Sequence, residues 1–202
     1  MSLRIEQKIS YKNLSVFNFK RWLFSNNAKI LHPARIINSV YFDNNFKMYD
    51  DSMEGTAPRK KIRVRTYGTK NFFLSKNNFK EEKKISNYNY RSKIISKYNF
   101  DKENFFSGIH DFDYGLCKPI LNIVYKRNYF KIFDTRLTLD ENICYHKVLN
   151  RRISNFFKRE SECVVELKSD NIDNMDFLNK MFYFPRTRFS KYCRGIEALF
   201  NK

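Results

Sequence analysis

The chain has 202 residues, 42% of them hydrophobic, and 39 Lys and Arg against 21 Asp and Glu give it a formal net charge of +18. This composition argues against global disorder, and the length suits one domain, so we expect residues 1–202 to form a single domain. The charge favours a polyanionic or phosphate-rich partner. The four Cys residues lack a CxxC pair, which argues against a zinc site, and no apolar run reaches membrane-spanning length, so we expect a cytoplasmic protein.

The first half of the chain mixes strand-like and helix-like patterns. Apolar and polar alternation predicts strands in LRIEQKIS (3–10), RIINSVYFD (35–43), RKKIRVRTYG (59–68), FFLSK (72–76) and KEEKKIS (80–86). Helices are predicted in NLSVFNFKRWLFSNN (13–27) and YRSKIISKY (90–98), with a turn or loop at MEGTAP (53–58).

The second half is dominated by strand patterns. DKENFFSGIHDFDYG (101–115) is predicted to be irregular, and a meander of strands is predicted after Pro119, over residues 120–148. ECVVELKS (162–169) is a further strand, followed by helices at NMDFLNKMFYF (174–184) and RFSKYCRGIEALF (188–200). These elements indicate one α+β domain built on antiparallel strands.

Several strands carry cations on one face only. In RKKIRVRTYG, alternation places Lys61, Arg63 and Arg65 on the face opposite Ile62 and Val64. Like charges stacked on one face are unfavourable. An ordinary solvated face is one interpretation. The other is a face turned into a closed barrel lumen, where bound phosphate offsets the cations.

Two carboxylates occur among these cations. Glu6 lies between Arg4 and Lys8, and Glu166 lies two residues before Lys168. A structural ion pair is the simpler interpretation of each. In a phosphate-binding cavity, however, such a carboxylate could hold a divalent cation that bridges phosphate oxygens.

The order and spacing of these motifs resemble a known family. The motifs are RIEQK (4–8), SVYFD (39–43), KIRVRTYG (61–68), FFLSK (72–76), EEKK (81–84), YKR (125–127), RLTLD (136–140), VVELK (164–168) and RTRFSKYCRG (186–195). Together they resemble the VTC domain, the polyphosphate polymerase branch of the triphosphate tunnel metalloenzymes, which is related to the CYTH superfamily.

The resemblance implies both a fold and a site. The fold would be a closed antiparallel eight-stranded β-barrel, the triphosphate tunnel, with a polar, cationic lumen and helices packed outside. The catalytic residues would be Arg63, Arg65, Arg127 and Arg136. The phosphate-binding residues would be Lys8, Lys76, Lys84, Tyr125, Lys168, Arg188 and Lys191. Glu166, with Glu6 as a second candidate, would hold Mn²⁺ or Mg²⁺.

The implied reaction moves the γ-phosphate of ATP onto phosphate, pyrophosphate or polyphosphate. Two departures bear on it. Leu74 stands where relatives often carry a carboxylate, which removes one acid from the site. Arg4 stands where hydrolytic CYTH enzymes carry a first glutamate, which favours the polymerase branch over the triphosphatases.

Three other functions stay open. A tunnel triphosphatase would use nearly the same residues with water as the acceptor. A non-catalytic module would bind polyphosphate or inositol phosphates without turnover, and Leu74 favours it. A nucleic-acid binder fits the charge, but no helix-turn-helix, RNP-type motif or basic helix is present in the sequence. Any membrane partner would be a separate chain, and the oligomeric state is left open.

Overall fold

The computed structural model describes residues 5–75, 78–88, 90–181 and 186–202. The strands are β1 (Ile5–Lys12), β2 (Lys29–Asp43), β3 (Arg59–Tyr67), β4 (Lys80–Ser86), β5 (Arg91–Lys97), β6 (Ile109–Asp111), β7 (Gly115–Ile132), β8 (Thr135–Leu149), β9 (Arg152–Arg159) and β10 (Glu162–Ser169). The helices are α1 (Asn13–Ser25), α2 (Lys47–Glu54), α3 (Lys102–Ser107), α4 (Ile172–Met181) and α5 (Lys191–Phe200). None of the helices within these ranges is long and apolar enough to cross a membrane.

The strands form one mostly antiparallel sheet in the order β1-β10-β8-β7-β2-β3-β4-β5, with β6 paired to β7 and β9 paired to β8. The α+β class is therefore confirmed, but the closed eight-stranded barrel is wrong. The sheet has ten strands, and in the described part of the chain its order ends at β1 and β5 without a pairing that closes it.

Local features mark both ends of the sheet order. The backbone N–H of Thr187 donates to the carbonyl oxygen of Lys8 at 2.9 Å, so β1 has a partner from outside the sheet. Strand β5 carries Arg91, Lys93 and Lys97, and charges on an edge strand discourage further pairing. The two additional strands arise because β7 and β8 are long enough to form hairpins with β6 and β9.

Most predicted elements are present, two are of the wrong type, and residues 101–115, which were predicted to be irregular, contain α3 and β6. Residues Phe72–Leu74 form a short 3-10 helix instead of a strand, because the Asn71 side chain accepts the N–H of Phe73 at 3.1 Å and turns the backbone. The stretch predicted as a helix at 90–98 contains strand β5, which pairs antiparallel with β4 along its whole length. Cross-strand pairing overrides a weak local preference there.

By its internal contacts the chain divides into two compact units. The first comprises Met1–Arg35, Tyr125–Ile143 and Glu160–Phe189. Its core places Phe19 and Leu23 of α1 in one buried cluster with Leu139 of β8 and with Val165 and Leu167 of β10. Because neighbouring strand residues point to opposite faces, this packing turns the alternate residues of β8 and β10 away from the core. The single-domain expectation stays a prediction.

The second unit comprises Ile36–Val124, Cys144–Arg159 and Ser190–Lys202. Its core contains Val40 of β2, Ile62 and Val64 of β3, and a set of packed Phe rings that includes Phe72 and Phe105. The burial of Ile62 and Val64 leaves the opposite face of β3 to its cations. The same alternation predicted from the sequence therefore sets up the candidate site.

Candidate functional site

In the second unit, two arginines of β3 converge on one buried carboxylate of β4. Arg63 is the direct cross-strand partner of Glu82, and its Nε donates to Glu82 Oε2 at 2.7 Å. Arg65 Nη1 lies 3.7 Å from the same oxygen, and its Nε donates to Ser39 Oγ at 2.9 Å. Lys93 of β5 donates to Glu82 Oε1 at 2.8 Å. We call Arg63, Arg65, Glu82 and Lys93 the β3–β5 cluster.

The carboxylate of this cluster is ionised across the physiological range. Burial of Glu82, which is 2% exposed, would raise its pKa, but Arg63, Arg65 and Lys93 outweigh burial and lower the pKa to about 2. One negative charge is therefore surrounded by three positive charges. The cluster keeps an excess of two positive charges, which an anionic ligand such as phosphate would offset.

A series of side-chain contacts through Tyr41, Tyr192 and Asp43 holds Arg63 in place. Its Nη1 donates to the hydroxyl of Tyr41 at 2.7 Å, and the Tyr41 ring stacks on Tyr192 with centroids 5.1 Å apart. The Tyr192 hydroxyl donates to Asp43, whose carboxylate also accepts the backbone N–H of Met48 at 3.0 Å. Burial raises the pKa of Tyr192, and Asp43 raises it further, so the phenol stays protonated as the donor.

In the first unit, a separate group of charges alternates along β1 and β10. Lys8 is opposite Glu166 and Glu6 is opposite Lys168 in the antiparallel register. Lys168 Nζ lies 3.1 Å from Glu166 Oε1 and 3.8 Å from Glu6 Oε2, and Lys8 Nζ lies 3.4 Å from Glu6 Oε1. We call Glu6, Lys8, Glu166 and Lys168 the β1–β10 cluster.

Glu166 is held in its charged form. Burial would raise its pKa, but a hydrogen bond with Glu6 and the charges of Lys168, Lys8 and Arg127 outweigh burial, so the pKa lies well below its usual range. A buried carboxylate that stays ionised is suited to hold a cation. Glu166, with Glu6 nearby, thus has the charge expected of a ligand to a small divalent cation.

Arg127 of β7 forms a bidentate pair with Asp140 of β8. Its Nε and Nη2 donate to the two carboxylate oxygens at 2.5 and 2.7 Å, and its guanidinium lies 5.4 Å from the Tyr125 ring centroid. Burial opposes the charge of Arg127, but Asp140, Tyr125 and Glu166 raise its pKa well above the usual value. Arg136 is opposite Lys168 in the sheet, and its guanidinium lies 5.8 Å from the Tyr129 ring centroid.

The donor set allows a test of whether a divalent metal fits. The described residues hold no group of three or more His, Cys, Asp or Glu side chains that could form a protein cage for a metal. Mg²⁺, however, commonly binds through one or two carboxylates together with substrate phosphates and water. The pair Glu6 and Glu166 fits that pattern. Thr138, directly opposite Glu166 and 4% exposed, adds a buried hydroxyl that has no hydrogen-bond partner among the described residues.

Four remaining residues of the predicted site occupy different positions. Lys84 lies on β4 between its cross-strand partners Lys61 and Lys93. Arg188 is exposed, in the segment that precedes α5, and Lys191 is the first residue of that helix. Lys76 lies outside the described residues.

Five residues in or beside these clusters were not predicted as site residues: Tyr41, Glu82, Lys93, Thr138 and Asp140. A signal for Glu82 was present, because Glu6, Glu82 and Glu166 each precede a lysine by two positions on a strand. Leu74 itself is 71% exposed on the 3-10 helix. Lys93 was missed as a site residue because its strand, β5, was predicted as a helix.

Comparison with solved structures shows the same fold in proteins of very different sequence. A conserved hypothetical protein from Pyrococcus furiosus matches with a TM-score of 0.56 at 17% identity, covering 94% of this chain and 99% of the other. A candidate adenylyl cyclase from Hippeastrum, described with a dominant triphosphatase activity, matches with a TM-score of 0.54 at 10% identity, covering 97% and 96%. A candidate adenylate cyclase from Vibrio parahaemolyticus matches with a TM-score of 0.50 at 12% identity, covering 93% and 94%.

A sequence search found no match among curated proteins. A family model does match, and it covers nearly the whole chain. The VTC domain model aligns with residues 8–200, a range that contains all the residues of the β3–β5 cluster and three of the four residues of the β1–β10 cluster. The resemblance stated from the motifs is confirmed by this match, and the chain belongs to the VTC domain family.

Proposed function

We propose that the chain is a metal-dependent phosphotransferase of the polyphosphate polymerase type. It would move the γ-phosphate of ATP onto phosphate, pyrophosphate or a polyphosphate end. The observation that carries the proposal is the VTC domain match over residues 8–200. The strands of that range supply all but Glu6 of the two charged clusters, whose chemistry suits phosphate and a divalent cation.

The β3–β5 cluster is proposed to bind phosphate oxygens. Arg63 and Arg65 present planar guanidinium groups, which bind phosphate in a bidentate manner. Glu82 keeps both arginines oriented before any ligand arrives, so little conformational entropy is lost on binding. The excess positive charge around Glu82 would then stabilise charge on the transferred group.

The β1–β10 cluster is proposed to hold the metal and further phosphate oxygens. Glu166, with Glu6, would bind Mn²⁺ or Mg²⁺, and Lys8, Lys168, Arg127 and Arg136 would contact phosphate. A bound metal would supply neutralisation of phosphate charge. Tyr125, Lys84, Arg188, Lys191 and Lys76 stay proposed phosphate ligands on the strength of the family resemblance.

No protein nucleophile is needed for this reaction. Phosphoryl transfer depends on positioning and charge neutralisation more than on covalent chemistry from the protein. The three histidines are not part of either cluster: His32 packs edge-on against the ring of Tyr129, His146 Nδ1 lies 3.0 Å from the Ser154 carbonyl oxygen, and His110 is exposed on β6. The acceptor phosphate itself would be the nucleophile.

A product assay tests the proposal. The protein is incubated with ATP and Mn²⁺, with and without pyrophosphate, and ADP is measured while products are separated on a polyphosphate gel. We expect long chains with matching ADP, and their loss in Arg65→Ala. Arg21→Ala, which removes an exposed arginine of α1, is the matched control and should retain activity. Full activity of a folded Arg65→Ala protein would contradict the assignment.

A triphosphatase is the second candidate, and one observation favours it. The Hippeastrum protein of similar fold is described with a dominant triphosphatase activity. The same clusters would then serve a reaction with water as acceptor. Orthophosphate without long chains would identify this activity. Binding of ATP or polyphosphate without turnover would identify a non-catalytic module.

A further inference from the structure

The hairpin of β8 and β9 has a surface that is both basic and apolar, and none of its residues belongs to the β3–β5 or β1–β10 cluster. Residues 144–159 contain no Asp or Glu, although the chain has 21 acids. They contain five cations, Lys147, Arg151, Arg152, Lys158 and Arg159, and all except Lys147 are exposed. A stretch of this sign is attracted to any dense anionic surface.

The same hairpin exposes three large apolar side chains. Phe156 is 64% exposed, Phe157 49% and Leu149 52%. In the described residues β9 pairs only with β8, so it lies at an edge of the sheet. Phe157 pairs with His146 in the register, and the neighbouring Phe156 points to the other face, where Lys158 Nζ lies 5.8 Å from its ring centroid.

The exposed Phe side chains are not needed to attach the hairpin to the core. Val148 of the same hairpin is buried in the core of the second unit, and the β8 residue Tyr145 is 1% exposed. The hairpin is therefore anchored through Val148 and Tyr145, while its outer strand keeps two Phe rings in water. Exposed apolar patches that are flanked by charge mark interaction surfaces.

We propose that the β8–β9 hairpin docks on an anionic phospholipid surface. Lipid headgroups offer the negative charge that the four exposed cations match, and the acyl layer beneath them offers an apolar phase for Phe156, Phe157 and Leu149. A polyphosphate chain would satisfy the cations but leave these apolar side chains in water. A nucleic acid could stack on the Phe rings but gives no role to Leu149. The proposal does not depend on the reaction at the clusters.

Vesicle flotation with the full chain tests the proposal. Vesicles of phosphatidylcholine alone are compared with vesicles that also contain phosphatidylserine. We expect recovery only with the mixed vesicles and a decline as salt is added. Phe156→Ser with Phe157→Ser should weaken recovery at least about tenfold, because the apolar contribution is lost. Phe17→Ser with Phe112→Ser removes two exposed Phe residues elsewhere and should leave recovery unchanged.

A second pair of variants tests how much the hairpin cations contribute to vesicle binding. Arg151→Gln with Arg152→Gln should weaken recovery, whereas Lys29→Gln with Lys102→Gln removes the same charge from other exposed positions and should have a smaller effect. Phe156→Trp places a reporter in the hairpin, and brominated acyl chains should quench its added emission. Such quenching would support insertion of the hairpin into the acyl layer.

Three outcomes would overturn the proposal. The first is no recovery with anionic vesicles. The second is equal loss for the hairpin variants and their matched controls, which would mean that binding is not specific to the hairpin. The third is hairpin-dependent binding to single-stranded oligonucleotides without vesicle binding, which would identify a nucleic-acid surface. ATP turnover is measured alongside, and unchanged turnover in the Phe156→Ser, Phe157→Ser protein would keep the docking test separate from that of the proposed reaction.

Discussion

Glu82 is the direct cross-strand partner of Arg63. Its carboxylate also accepts a hydrogen bond from Lys93, and Arg65 Nη1 lies 3.7 Å from it. The three cations therefore share one counter-charge. This relationship explains how the like charges of β3 are tolerated without a ligand, and it gives Glu82 a role in both stability and anion binding.

Glu82→Gln should destabilise the protein and make it respond more strongly to phosphate. Without the carboxylate of Glu82, the positive charges of Arg63, Arg65 and Lys93 repel one another. We therefore expect the free energy of unfolding to fall by about 2–4 kcal/mol. Added triphosphate should restore more stability in the variant than in the wild type. Urea unfolding with and without triphosphate measures both effects. Glu81→Gln, whose partner Lys83 is 3.5 Å away, is the control and should show neither.

Acid should weaken the fold through the same residue. The pKa of Glu82 is lowered from 4.5 to about 2 in the folded protein, so the unfolded chain binds a proton first as pH falls. The stabilisation is complete above about pH 4.5 and is lost towards pH 2, with a total of about 3 kcal/mol. Unfolding measured over this range should show a steeper decline in the wild type than in Glu82→Gln. Equal slopes would remove Glu82 as the cause.

Glu166→Gln should impair metal binding without preventing phosphate binding. The amide keeps the shape of the side chain but loses the charge that attracts Mn²⁺ or Mg²⁺. We expect the metal concentration for half-maximal turnover to rise at least about tenfold. Free Mn²⁺ measured by electron paramagnetic resonance checks binding directly. Glu162→Gln changes an acid on the same strand and should bind metal like the wild type.

Thr138→Val should stabilise the fold and weaken ATP binding. The buried hydroxyl of Thr138 has no partner in the described structure, so its removal should raise the free energy of unfolding by about 1 kcal/mol. If the hydroxyl contacts phosphate beside Glu166, ATP affinity measured by calorimetry should fall. Thr135→Val removes another buried hydroxyl of β8, which also lacks a partner within the described ranges, and it should raise stability without changing ATP affinity. Unchanged ATP affinity in Thr138→Val would exclude the contact.

Tyr41→Phe should loosen Arg63. The variant removes the hydroxyl that accepts Arg63 Nη1, at a cost of about 1 kcal/mol in stability. ATP affinity should fall several-fold because the guanidinium is less well oriented. Tyr67→Phe, which alters a half-buried Tyr of the same sheet, serves as the control. If the two variants bind ATP equally well, Tyr41 has no positioning role.

The alternating patterns were sufficient to predict most of the fold. Strands β1, β3, β4 and β10 and helices α1, α4 and α5 were expected where they occur, because one face of each had to be apolar to form a core. Strands β6 and β9 and the short helices α2 and α3 were not predicted. Strand β5 was predicted as a helix because RSKIISK lacks clear alternation, and only its pairing with β4 decides its conformation.

The sequence by itself determined the family, the cationic faces and the identity of most proposed phosphate ligands. Motif order and side-chain alternation can be read along the chain without knowing which strands pair. Only the tertiary structure decided which charges are partners. The pairing of Arg63 with Glu82, of Arg127 with Asp140 and of Glu166 with Lys8 depends on strand register, which joins residues distant in the chain. The strand order likewise replaced the closed eight-stranded barrel by a ten-stranded sheet, because pairing at the sheet edges cannot be read from single strands.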